Sequence, residues 1–199
     1  MTQDWTYVVD VPGESWVELP EPGESVAGWA EEVCAAVRVD GVAARELAEQ
    51  LRAVAVAARD QDVQYGAVWL PRPELGVLAV LATDLVANGE GEPPLDLDGV
   101  ERLELSAGSL GGPPEVGRVR LPAGEAVRSR RVERGGTSVF GTDRVGEVVT
   151  HTLVPGDLLD ARCRVAGILH RVSWSMLEEG DDLAELADDC VRLLRIERG

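Results

Sequence analysis

The sequence predicts an α+β fold. Its elements come in an order typical of that class: a short extended segment with tryptophans, two amphipathic helices, a long stretch of strands and one closing helix. The helices repeat apolar residues every three or four positions, whereas the strands are short runs bounded by glycine and proline. With 199 residues, 45% of them hydrophobic, the chain is long enough to bury a substantial core, and we expect a single domain over residues 1–199.

The first half of the chain is predicted to hold strands at both ends and two helices between them. Ser25 is a suitable N-cap for the first helix, in which Trp29 and Val33 recur at helical spacing. The second helix has an apolar stripe that includes Leu47 and Leu51. The predicted elements are strands at residues 7–10 and 16–19, helices at residues 26–37 and 43–59, and strands at residues 63–70 and 76–86.

The second half is predicted to be mostly strands, closed by a helix that begins near residue 180. Loops rich in glycine and proline are expected at about residues 88–99 and 106–115. The pattern of segment 100–105 is compatible with a strand or with a short helix. The final helix is predicted to run through Leu194 and to end among arginines. The further strands are predicted at residues 116–121, 125–133, 145–154 and 161–175.

Four arginines alternate with apolar residues in the two strands that flank residues 122–124. Alternation places every second side chain of a strand on the same face. The pattern therefore predicts one basic face, exposed to solvent. The four residues are Arg118, Arg120, Arg128 and Arg130.

The net charge of −17 narrows the choice of partner. Acidic residues number 36, against 19 arginines and no lysine. Such a surface repels phosphate groups, so nucleic acids and anionic membranes are poor partners, and a protein with a basic face is a better one. The absence of lysine excludes a lysine Schiff base. No apolar run reaches the roughly 20 residues of a membrane span and no secretory signal is evident, so we expect a cytoplasmic protein.

The histidines and cysteines are few and scattered. His151 and His170 both lie in predicted strands, where they are candidates for a metal or acid–base site, although we expect hydrogen-bonded residues of the sheet. No acidic or thiol ligand accompanies them at a suitable spacing. The distant cysteines Cys34, Cys163 and Cys190 are expected to be buried free thiols.

No motif of a catalytic or cofactor site is present. The sequence has neither the G-x-S-x-G pattern of serine hydrolases nor the G-x-G-x-x-G pattern of dinucleotide-binding proteins. The acidic pairs Asp181–Asp182 and Asp188–Asp189 fall on the final helix at positions predicted to face solvent. We therefore expect no catalytic residue and no cofactor.

Five tryptophans stand beside a single phenylalanine. Most are expected to pack in the core. A tryptophan that is half exposed often anchors a protein partner, because its ring is apolar and its N–H is polar. The residues predicted to bind a partner are Trp5, Trp16 and Trp69.

Several segments together resemble the PsbP-like family, including actinobacterial members of unknown role. The similarity covers about residues 7–196 and implies an α/β/α sandwich, an antiparallel sheet with helices on both faces. Relatives include a photosystem subunit, a Ran-binding protein, lipoproteins and chaperone-like adaptors of secretion systems, so the resemblance implies binding without catalysis. The segments that carry it are WVELP at residues 16–20, residues 121–128, HTLVPG at residues 151–156 and residues 168–176.

The sequence thus predicts a non-catalytic adaptor or chaperone-like protein that binds another protein. A first alternative is a binder of a small molecule or lipid, or a hydrolase without a recognisable motif, that uses a cleft between sheet and helices. A histidine at the mouth of a pocket would favour it. A second alternative is a structural component that assembles with copies of itself.

Overall fold

The computed structural model describes residues 5–87, 95–134, 145–155 and 165–198. In chain order the strands of this described part are β1 (Trp5–Val9), β2 (Trp16–Glu18), β3 (Tyr65–Trp69), β4 (Ala79–Ala87), β5 (Glu115–Leu121), β6 (Gly124–Arg134), β7 (Val145–Leu153), β8 (Val165–Trp174) and β9 (Leu194–Arg198). The helices are α1 (Val26–Ala36), α2 (Gly41–Asp60), α3 (Leu97–Ser106) and α4 (Gly180–Arg192).

Seven strands form one antiparallel sheet in the order β2-β3-β4-β8-β7-β6-β5. Successive side chains of each strand point to opposite faces of this sheet, as the pleat requires. One face, with Val68 and Val80, packs on α1 and α2. The opposite face, with Val172 and Trp174, packs on Leu183 and its neighbours in α4. The predicted α+β class and the helices on both faces of the sheet are confirmed. No described helix is long and apolar enough to cross a membrane.

The end of the chain differs from the prediction. The final helix stops at Arg192, and Leu194 begins β9, which pairs with β1 in a separate two-stranded sheet. Residues 194–197 alternate apolar and charged side chains, and this period of two belongs to a strand. Leu194 is buried and Arg195 binds Asp10 at 2.7 Å. Consequently β1 and β2, although close in sequence, lie in different sheets.

The ambiguous segment 100–105 belongs to helix α3. The predicted loop at residues 88–99 is therefore too long, because α3 begins at Leu97; residues 88–94 lie outside the described part. Asp96 caps the helix by accepting a hydrogen bond from the Gly99 N–H at 2.6 Å. An exposed acidic helix with little buried surface explains why the apolar pattern alone did not identify it.

The prediction of one basic solvated face is wrong. The register of β5 and β6 pairs Arg128 with Gly117 and Arg118 with Val127, which places the arginines of the two strands on opposite faces. Arg118 points towards α3 and bonds Asp98 and Glu101. The side chains of Arg128 and Arg130 are only 21% and 20% exposed, and both bind carboxylates under α4.

Two cysteines are buried and free, as predicted. Cys34 lies under α2 and Cys190 is part of the core beneath α4. Cys163 lies outside the described residues.

Gly167 in β8 gives a test of the sheet packing. A Cβ at this position would lie 2.6 Å from the carbonyl oxygen of Leu153. We expect Gly167→Ala to lower the free energy of unfolding by about 1–3 kcal/mol, because the backbone of β7 must shift. The matched control is Gly117→Ala in β5, where a Cβ would meet nothing within 4 Å. Urea denaturation should show the control unchanged or slightly more stable; equal losses in both variants would contradict the prediction.

Candidate functional site

A row of polar side chains crosses the sheet face that α4 covers. Cross-strand pairs join Tyr65 to Thr83, Thr83 to His170, His170 to His151, and His151 to Arg128. These five residues come from five neighbouring strands, so they form one continuous line across the sheet. Apolar core residues flank this line, and a second polar group on the same face, Arg130 with Glu147, pairs with Asp181 of α4.

Asp188 of α4 lies above one end of the row. Its Oδ1 accepts hydrogen bonds from Arg128 Nε at 2.8 Å and from His151 Nε2 at 3.0 Å. Burial by itself would raise the pKa of Asp188, but the hydrogen bonds from His151 and Arg128 outweigh it and hold the pKa below its usual range. The carboxylate is therefore charged at neutral pH and joins two strands to the helix.

The two histidines are neutral at neutral pH. His170 is fully buried, and the burial, helped by the proximity of His151, lowers its pKa to about 3. Burial also lowers the pKa of His151, against the opposing effect of Asp188. The ring centroids are 6.5 Å apart, and His170 Nδ1 is 3.0 Å from the hydroxyl of Thr83.

Each histidine nevertheless has one ring nitrogen without a hydrogen-bond partner among the described residues. These are Nδ1 of His151 and Nε2 of His170. Because a carboxylate only accepts hydrogen bonds, neutral His151 donates its Nε2–H to Asp188 and carries a lone pair on Nδ1. The histidines were predicted to be hydrogen-bonded residues of the sheet. This is correct for only one ring nitrogen of each.

A pocket of about 290 Å³ opens beside Asp188, between the edge strand β5 and α4. The apolar part of its wall is Val119 and Leu121. Its polar part includes Arg128, whose two terminal nitrogens have no hydrogen-bond partner in the described part of the chain. The lining residues are Val119, Arg120, Leu121, Arg128, His151, Asp188 and Arg192.

The polar wall of the pocket includes a histidine that a carboxylate holds in place. His151 held by Asp188 has the form of a base and its orienting carboxylate. However, the lining contains no serine, threonine or cysteine that such a base could activate. Among the described residues, no group of three or more histidine, cysteine, aspartate and glutamate side chains is placed to hold a metal ion.

The structure brings together two of the three tryptophans predicted to bind a partner. Trp16 and Trp69 are paired across β2 and β3, with ring centroids 6.3 Å apart. Trp16 is 7% exposed and belongs to the core, whereas Trp69 is half-buried. Trp5 lies in β1, but its side chain is outside the described part. Their binding role stays a prediction.

The sequence interpretation missed Asp188 and Arg128. Asp188 was predicted to face solvent, yet its side chain is only 28% exposed and is hydrogen-bonded to His151. A signal was present in the helix pattern, because Asp188 lies four residues after Ala184 and three before Val191, both buried. It therefore flanks the apolar stripe. The partners themselves come from strands far away in sequence, which no spacing reveals.

Comparisons with models of protein families, with curated proteins and with solved structures found no match.

The hydrogen bonds of Asp188 predict that replacing it costs more stability than replacing its neighbour Asp189. We expect Asp188→Asn to lower the free energy of unfolding by about 1–3 kcal/mol, because Arg128 loses its charged partner in a largely buried position. Asp189→Asn is the control: Asp189 is 60% exposed and, within the described residues, pairs with Arg192 alone, so its loss should stay within about 0.5 kcal/mol. Chemical denaturation of both variants measures the difference, and equal losses would show that Asp188 has no special role.

The buried His170 predicts a loss of stability in mild acid. Its pKa is about 3 in the folded protein but about 6.5 when unfolded, so below pH 6.5 the unfolded chain binds the extra proton. Stability is therefore complete above pH 6.5 and falls as the pH drops towards 3, by roughly 2 kcal/mol between about pH 7.5 and about pH 5.

The control is the double variant Thr83→Val, His170→Leu, which removes the titrating group and the hydroxyl that bonds it. Urea unfolding at the two pH values should show a smaller acid-induced loss in the double variant. The same loss in both proteins would contradict the assignment to His170.

Proposed function

We propose that this protein binds a small molecule in the pocket between β5 and α4, without transforming it. The observation that carries the proposal is the charged pair of Arg128 and Asp188, with His151 beside it, held in a largely buried position yet lining an open pocket. Ligand sites usually combine an apolar wall with a few fixed polar groups, and this pocket has both.

The fixed geometry of the polar groups supports the proposal. Asp188 anchors His151 and Arg128 from α4, so neither side chain has to be ordered when a ligand arrives. The donors of the lining are the terminal nitrogens of Arg128 and the guanidinium of Arg192, whose Nη1 donates to the exposed Asp189. Without a nucleophile in the lining, this arrangement favours recognition over hydrolysis.

The second candidate is the protein-binding adaptor that the PsbP-like resemblance implies. The layered α/β/α architecture supports that family proposal. A specific observation favours a docking surface near Trp69: the loop that follows it exposes Leu75, and the ion pair of Arg72 with Glu179 joins this loop to the turn that exposes Leu177. Under this candidate the pocket plays no part.

A pocket-filling variant tests the first candidate. Val119→Phe enlarges a wall residue of the pocket, whereas Val42→Phe makes the same change on α2, where Val42 is 60% exposed. In a ligand-observed NMR screen of small polar metabolites, we expect hits that bind the parent protein and the control alike. They should bind Val119→Phe at least roughly tenfold more weakly, because the phenyl ring occupies their volume.

Three results would count against the proposal. They are the absence of any hit, hits that bind all three proteins equally, and a hit that the protein converts into product. Capture of a protein partner that survives Val119→Phe but is lost in Leu75→Glu would favour the adaptor instead.

A further inference from the structure

The pocket differs in charge from the rest of the chain. Its charged side chains are those of two arginines, Arg128 and Arg192, and one carboxylate, Asp188. Arg120 is a further lining residue, but it alternates with Val119 and Leu121, so its side chain belongs to the other face of the sheet. The whole chain has almost twice as many acidic residues as arginines, 36 against 19. A wall of this composition in such an acidic protein indicates that the ligand is negatively charged.

Arg128 presents an unused edge to the pocket. Its Nε donates to Asp188, and its side chain is 21% exposed. The terminal nitrogens, which have no partner in the described part of the chain, form a planar pair of donors. Two parallel N–H groups match the two oxygens of a carboxylate. Asp188 fixes the other side of the guanidinium, so this pair is oriented before the ligand arrives.

A second cation stands on the helix side of the pocket. Arg192 lies four residues after Asp188 in α4, and its side chain is 60% exposed. Its partner Asp189 is equally exposed, and such a surface pair is weak enough to be exchanged for a ligand. Arg192 is therefore able to approach an anion that is bound at Arg128.

The apolar wall and the volume limit the rest of the ligand. Val119 and Leu121 of β5 face this space, and Leu121 is only 9% exposed. A volume of about 290 Å³ lies just below the range of small-molecule sites, which span roughly 300–1,000 Å³. The pocket fits a small acid with a short apolar chain.

We infer that the ligand is a small monocarboxylate. Its carboxylate accepts two hydrogen bonds from the terminal nitrogens of Arg128, Arg192 approaches from α4, and its short apolar chain lies on Val119 and Leu121. This inference rests on the proposed function, to which it adds the chemical class of the ligand.

Calorimetric titration with isobutyrate and with isobutyramide tests the inference, because the two probes share a shape and differ in charge. We expect isobutyrate to bind at least roughly tenfold more tightly than the amide. Arg128→Lys keeps the charge but removes the planar pair of donors, and should weaken isobutyrate binding by roughly tenfold. Arg118→Lys, an exposed arginine on the opposite face of the sheet, is the matched control and should leave binding unchanged.

Arg192→Gln keeps the test valid even if Arg128→Lys fails to fold. Because Arg192 is exposed, its replacement should leave the unfolding curve unchanged and weaken isobutyrate, but not isobutyramide, by roughly threefold. Equal binding of acid and amide would overturn the carboxylate assignment and leave the proposed function standing. Tighter binding of inorganic phosphate than of isobutyrate would also overturn it. If neither these probes nor any metabolite in the NMR screen binds, the proposed function fails as well.

Discussion

One carboxylate connects the two layers of the molecule where the candidate site lies. Asp188 Oδ1 accepts hydrogen bonds from Arg128 Nε in β6 and from His151 Nε2 in β7. Its helix α4 packs on the sheet through Leu183 and Ala187. This interaction fixes the tautomer of His151, sets the plane of the Arg128 guanidinium and compensates a positive charge in a largely buried position. Without it, the wall of the pocket would be a cation and a neutral ring with no defined orientation.

The polar groups buried on the two faces of the sheet differ in how completely they are hydrogen-bonded. On the face towards α3, the Ser129 hydroxyl lies 2.7 Å from the Thr150 hydroxyl and donates to Glu104 at 2.6 Å. On the face towards α4, two histidines are buried with one unpartnered nitrogen each among the described residues. A buried polar atom without a partner costs about 1–3 kcal/mol, so the second arrangement is the more expensive. Of the two histidines, His151 also lines the pocket.

The sequence predicted the layers of the fold better than the contents of the site. The apolar periodicity of α1, α2 and α4 and the runs of β4, β7 and β8 were sufficient for the class, because burial itself creates those patterns. The register of β5 on β6 produces no pattern in the sequence, yet this register places Arg118 and Arg128 on opposite faces of the sheet. Both histidines were identified as candidates because histidine is rare in this chain. The carboxylate that completes the site was not identified, because it is one of 36 acidic residues. Asp188 meets His151 only through the packing of α4, which depends on the whole core.

The overall charge of the chain determines how a carboxylate would be recognised. A net charge of −17 repels anions, but in physiological salt that repulsion is screened beyond about 8 Å. Long-range steering therefore cannot bring the ligand to the pocket, and recognition must depend on contacts made inside it. Arg128 satisfies this requirement, because a donor pair held in place by Asp188 acts at hydrogen-bond distance and loses little entropy on binding. Under the proposed function the acidic surface would act selectively: polyanions such as nucleic acids would be repelled over many contacts, whereas a single small acid would meet two arginines whose charges exceed that of Asp188.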